Sequence, residues 1–203
     1  MTVDIFDTDY LASELSQLSE RQLLAFAASC CERLLPFYNE FYKMEQWGDP
    51  ALLRTMLDQI WQIVQGKLVD VQRIQILRRK CRRVAPDTEK FFSDYTSEAL
   101  HTCGALQHSL DACLKPYPDQ VALVRLLSLE AVNVTINRLL DQQDPDSAMQ
   151  VRSPEVIDNH PLMVQELAKQ RYDIQTLKNC TAFDQEFVEV FKRASTQSDI
   201  SSL

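Results

Sequence analysis

Between residues 21 and 41, apolar side chains recur so that, at about 100° per residue, Leu23, Leu24, Phe26, Cys30, Leu34, Phe37, Tyr38 and Phe41 share one arc. With Ala27, Ala28, Cys31 and Leu35 the arc is roughly 200° wide, broader than the stripe of a surface helix. This predicts a long helix buried on about half its circumference, with Ser29, Glu32, Arg33, Pro36 and Asn39 on the remaining arc. Ser19-Glu20-Arg21-Gln22 has the form of a capping box at its start, and Pro36 predicts a kink inside it. Trp47-Gly48-Asp49-Pro50 predicts a corner: Gly48 suits a left-handed stop, Asp49 an N-cap and Pro50 the first residue of a new helix. Leu53, Met56, Leu57, Ile60, Trp61 and Val64 then repeat at three- and four-residue steps up to Gly66.

A third helix is predicted from Leu68 to about Val84, through Val71, Ile74, Leu77 and Cys81. A fourth is predicted from about Asp94 to Leu114, where Ala99, Cys103, Leu106, Leu110 and Cys113 form a packing seam. The segment 119–141 is apolar in every quadrant, which predicts a central helix enclosed by others. A polar connection at 141–159 contains Pro145 and Pro154, with a short helical turn capped at Ser153. Beyond it, helices are predicted after Pro161 and around Phe183 to Phe191. Thr8 or Asp9 would cap a short first helix carrying Leu11, Leu15 and Leu18. The expectation is an all-α single-domain bundle of about seven helices over residues 1–193, followed by a frayed tail at 194–203.

Composition narrows this picture. The chain has 203 residues, 45% of them apolar, and only three glycines, enough for one core and poor in hairpin signals. Its net charge of −8 disfavours general nucleic-acid binding. The start has no signal-peptide pattern, and no apolar run approaches the ~18 residues of a membrane span. These features predict a cytoplasmic protein whose six cysteines are reduced thiols.

The chemistry-bearing candidates are few. Only Glu98-x-x-His101 matches half of a di-iron site, and three histidines without a C-x-x-C pair give no metal or cofactor expectation. His101 and His108 lie about 10.5 Å apart along a helix axis. Cys30 and Cys31 both fall on the apolar arc and read as small core residues. Glu32, Arg33, Tyr38, Asp58 and Trp61 are the candidates for a pocket between the first two long helices. The plainer reading is a surface Arg54–Asp58 pair, with Glu32 and Arg33 tying helices together. Arg78, Arg79, Lys80, Arg82 and Arg83 form the one dense basic cluster and are candidates for anion or RNA binding. The plainer alternative is cations complementing a helix C-terminus.

Three stretches carry a resemblance: Cys31-Glu32-Arg33-Leu34-Leu35-Pro36-Phe37-Tyr38, Trp47-Gly48-Asp49 and Leu57-Asp58-Gln59-Ile60-Trp61. Together they resemble the YjaG-like family of uncharacterised bacterial proteins, domain of unknown function 416. Ala99 to Leu106 is similar to that family's small-residue helix, although the family pattern has an aspartate where this chain has His101. The likeness spans roughly residues 20 to 180 and omits the basic cluster. It implies an all-helical bacterial cytoplasmic protein with no assigned activity, and it marks Glu32, Arg33, Pro36, Tyr38, Gly48, Asp49, Asp58 and Trp61 for attention. The leading functional expectation is a non-enzymatic interaction or regulatory protein, a homodimer through an exposed apolar helix face. The alternatives are the pocket between the first long helices and anion or RNA binding at 78–83.

Overall fold

The computed structural model describes residues 13–147 and 152–196. Among these residues there is no strand. A helical turn at 13–16 leads into α1 (Glu20–Glu45), α2 (Pro50–Val64), α3 (Val71–Val84), α4 (Thr96–Leu114) and α5 (Pro118–Gln143). A 3-10 turn at Pro145–Ser147 precedes the short α6 (Pro154–Asp158), α7 (Pro161–Lys178) and α8 (Gln185–Thr196).

Local chemistry sets most boundaries. At the start of α1, Gln22 Oε1 accepts from the Ser19 backbone N–H at 2.8 Å and from Ser19 Oγ at 2.9 Å, which satisfies a donor that the helix itself leaves free. The helix continues through Pro36 and ends at Gln46, a left-handed residue with φ 52° whose N–H donates to Tyr42 O. Asp49 then caps α2 by accepting the Leu52 N–H at 2.9 Å, with Pro50 in the first turn. Asp70 caps α3 through the Arg73 N–H at 3.0 Å. Helix α3 thus starts three residues after Leu68, where the apolar repeat begins, and Leu68 stands 90% exposed.

Helix α1 is the most thoroughly enclosed element, with 16 of its 26 residues buried. It packs against α2, α4, α5, α7 and α8, and α4 and α5 pack along each other. Burial extends past the predicted arc, because Ser29, Glu32 and Arg33 are also inside. Their polar groups are drawn in by partners on α2 and α7. Helix α5 packs on α4, α1 and α7 and buries Val121, Val124, Ala131, Val132 and Ile136, while Leu123 and Leu126 face outward, each 40% exposed. Leu15 and Leu18 join the core; Thr8, Asp9 and Leu11 lie outside the described residues. Helix α8 runs through residue 194 to Thr196 with Ser195 buried, and residues 197–203 lie outside the description. No helix among the described residues is long and apolar enough to cross a membrane.

Candidate functional site

Helix α4 carries small residues where it meets its neighbours, and this opens a groove over its outer side. Gly104 lies on the floor: a Cβ there would come within 3.1 Å of Leu127 Cδ1 on α5. Cys81 and Cys103, Leu100, Ala85 and Leu127 supply apolar walls around a cavity of about 360 Å³. His101, His108, Gln107 and Arg82 are the polar groups that line it. His108 Nδ1 stands 3.1 Å from Gln120 Oε1 on α5. His101 Nδ1 is buried with no hydrogen-bond partner, and burial lowers the imidazole pKa against the opposing pull of Glu130 and Glu98. The ring is therefore held neutral and keeps hydrogen-bonding capacity unused. Hydrogen bonding with Cys81, then burial, raises the Cys103 thiol well above its ordinary range, so it is no nucleophile at neutral pH.

The basic cluster borders this groove. Arg78 pairs with Asp111 on α4, whereas the exposed Arg79, Lys80, Arg82 and Arg83 form no ion pair with any described residue. Of these, Arg82 reaches the groove lining. Glu98 and His101 do not act together: Glu98 is buried toward α5, accepting from Thr135 Oγ1 at 3.2 Å and paired with Arg138 at 3.4 Å. Among the described residues no group of three or more metal-ligating side chains comes together.

The five residues proposed for a pocket divide among three places. Glu32, Asp58 and Trp61 meet between α1 and α2, joined by Arg54. Its guanidinium holds the Glu32 carboxylate bidentately at 2.7 and 3.0 Å and reaches Asp58 at 2.8 Å. Trp61 Nε1 donates to Glu32 Oε1 at 2.7 Å, and Lys192 of α8 closes over the Trp61 ring at 5.8 Å.

Arg33 points the other way, toward α7. Its Nε and Nη2 each donate at 2.8 Å to the two Glu166 oxygens, and Nη1 reaches Ser29 Oγ at 2.8 Å and Asp173 at 3.2 Å. Tyr38 forms a third junction: Oη donates to Val84 O at 2.7 Å and accepts the Asp49 N–H at 3.2 Å. Gly48, at φ 106°, passes so close that a Cβ would lie 2.3 Å from that hydroxyl oxygen. Tyr38, Gly48 and Asp49 thus lock the corner, while Pro36 lies on a partly exposed side of α1.

The partners of Arg33 carry only a faint signal in the sequence. On α7, Glu166, Gln170 and Asp173 recur at four- and three-residue steps, a polar stripe with helical spacing. Such a stripe fits a solvated face equally well, and only the fold turns it inward.

A helical bundle with one core, internal ionic braces and a mostly apolar groove on one side defines an all-α single-domain protein. The chain belongs to the DUF416 family: the family described as "Protein of unknown function (DUF416)" matches residues 11–203. Similar proteins include the "Uncharacterized protein YjaG" of Escherichia coli K12, 25% identical over 175 residues that cover 86% of this chain and 85% of that protein. An "Uncharacterized protein" of Haemophilus influenzae is 24% identical over 191 residues, 93% of each chain. The crystal structure of a DUF416 family protein from Shewanella baltica OS155 has the same fold, with a TM-score of 0.77 at 21% identity over 91% of this chain and 92% of that one.

Proposed function

We propose that this protein is a non-catalytic binding protein whose groove between α3, α4 and α5 takes a small ligand with an apolar body and an anionic head. The observation that carries this reading is the pairing of a 360 Å³ apolar cleft with Arg82, a cation without an acidic partner among the described residues, and His101, an imidazole with an unused nitrogen. Pockets of about this size, mostly apolar with a few convergent polar groups, are the usual form of small-molecule sites. The lining contains no carboxylate, and the raised Cys103 thiol offers no nucleophile beside the His101 and His108 imidazoles, which supports binding rather than turnover. The net charge of −8 favours a small anion over a nucleic acid. The free thiols of Cys30, Cys31, Cys81, Cys103, Cys113 and Cys180 suit a reducing cytoplasm.

Calorimetric titration with decanoate, decanol and acetate tests the reading. Decanoate should bind saturably, one per chain, and at least tenfold more tightly than either of the others. Arg82→Gln should bring decanoate down to the level of decanol. Absence of saturable decanoate binding, or undiminished binding after Leu100→Trp fills the groove, would overturn it.

A second reading, homodimerisation, rests on the link between α2 and α3. There Leu68 is 90% exposed beside the exposed Val69 and Val71, bordering a cleft of about 420 Å³. Native mass spectrometry should then show a dimer that Leu68→Lys dissociates. A monomer at micromolar concentration removes this reading and leaves the groove untouched.

A further inference from the structure

The two carboxylates of the buried brace are saturated by their own neighbours. Glu166 Oε1 accepts from Arg33 Nη2, from Ser128 Oγ at 2.8 Å and from Gln170 Nε2 at 2.7 Å, while Oε2 takes Arg33 Nε. Asp173 Oδ2 accepts from Ser29 Oγ at 2.7 Å and from Arg33, and its Oδ1 pairs with Lys169.

Two further arginines sit at the same seam, each with a buried nitrogen that has no hydrogen-bond partner among the described residues. Arg125 is only 3% exposed, its Nε is buried without a hydrogen-bond partner, and it forms no ion pair with any described residue. Arg171 is partly exposed, and its Nη2 is likewise buried and unpartnered. Arg125 lies one turn before Ser128 on α5, and Arg171 is next to Gln170 on α7. Ser128 and Gln170 donate to the same Glu166 oxygen, and Arg171 lies near enough to Arg125 for the two like charges to repel. Burial lowers the Arg125 pKa, Cys30 and Glu166 pull it back, and the like charge of Arg171 lowers it further.

A buried cation without an ion-pair partner carries a desolvation penalty, and arginine does not escape it by losing its proton. Guanidinium forks match the geometry of oxyanions. We propose that Arg125 and Arg171 bind a small oxyanion, a phosphate or carboxylate group, at the α5–α7 seam, with Arg171 at its open end. Gln170 Oε1, buried and without a donor, faces the protonated oxygen of a monohydrogen phosphate or the hydroxyl of a hydroxy acid.

The experiment is calorimetric titration of the full chain with sodium phosphate and with sodium succinate at fixed ionic strength. One saturable site per chain is expected. Tighter binding of phosphate points to a phosphoryl ligand, and tighter binding of succinate to a carboxylate one. Arg171→Gln and Arg125→Met should each weaken binding at least tenfold, whereas Lys43→Gln, at a distant surface pair with Glu40, should not. In chloride buffer Arg125→Met should melt no lower than the native chain, yet lose the rise in melting temperature that the oxyanion gives. Failure of both anions to bind saturably overturns the proposal, and so does native-like affinity in folded Arg171→Gln. The Arg171 variant decides the matter if Arg125→Met does not fold.

Discussion

Single residues at the α1–α2 corner show how little freedom the chain has there. Gly48 is at φ 106°, a left-handed conformation that costs an L-residue about 1–2 kcal/mol, and its missing side chain is the space occupied by the Tyr38 hydroxyl. Gly48→Ala should therefore destabilise the protein by at least that amount. Tyr38→Phe, which removes the hydroxyl donor from the Val84 carbonyl, should cost about 1–3 kcal/mol. The two effects are coupled, since removing the hydroxyl also removes the atom that the added methyl group strikes first. In urea denaturation the double variant should lose clearly less than the sum of the singles; strict additivity would mean that the clash is relieved elsewhere. At this scale the sequence is informative: Gly48, Asp49 and Pro50 announce a corner by residue type alone. The partner of Tyr38 is not legible, because Val84 lies 46 positions away.

At the scale of elements, helices are legible where caps and apolar periodicity agree. Leu53 to Val64 ends at Gly66, and Asp49 starts it. The start of α3 shows the limit. Leu68, Val69 and Val71 continue the apolar pattern, yet the Asp70 side chain, by capping at Arg73, excludes Leu68 and Val69 from the helix. Polar residues are less legible than apolar ones. Glu32 and Arg33 fall on the arc opposite the apolar stripe, so periodicity assigns them to solvent, whereas α2 and α7 supply countercharges that allow them to be buried.

The α1–α7 brace makes acid stability a test of this element pairing. Burial alone would raise the Glu166 pKa; the Arg33 charge and hydrogen bonds from Arg33, Gln170 and Ser128 outweigh it and hold the carboxyl below its ordinary 4.5. A group with a depressed folded-state pKa contributes its full stabilisation above the unfolded value and loses it as the pH falls toward the folded one. Unfolding free energy should therefore drop from about pH 5 downward, and Glu166→Gln should flatten that slope. An unchanged acid limb would place the titrating group elsewhere. At neutral pH, Arg33→Ala should cost about 3–5 kcal/mol, as expected for a buried pair broken on one side.

At the scale of the whole molecule, fold class is the most legible property. Scarce glycine, absent hairpin signals and repeated three- and four-residue periodicity leave an all-helical bundle as the only consistent architecture. Which helices meet is not legible. The contacts that define the interior join residues 133 and 144 positions apart, Arg33 with Glu166 and Ser29 with Asp173, and nothing local in either segment encodes its partner. The groove has the same origin. Cys81, Ala85, Gly104, His101 and Leu127 are brought together by three helices, and in sequence His101 and Gly104 look like features of α4 alone. The basic cluster stands out in the sequence, but its position at the edge of a cleft depends on α3 lying along α4.

Ligand entry into this groove, rather than between α1 and α2, is tested by titrating the isotopically labelled chain with decanoate and following assigned NMR resonances. Saturable shifts of the His101 and His108 imidazoles and of the Gly104 amide are expected, with the Trp61 indole and the Leu68 amide unmoved. Shifts centred on Trp61, or none at Gly104 and the two histidines at saturating decanoate, would contradict it.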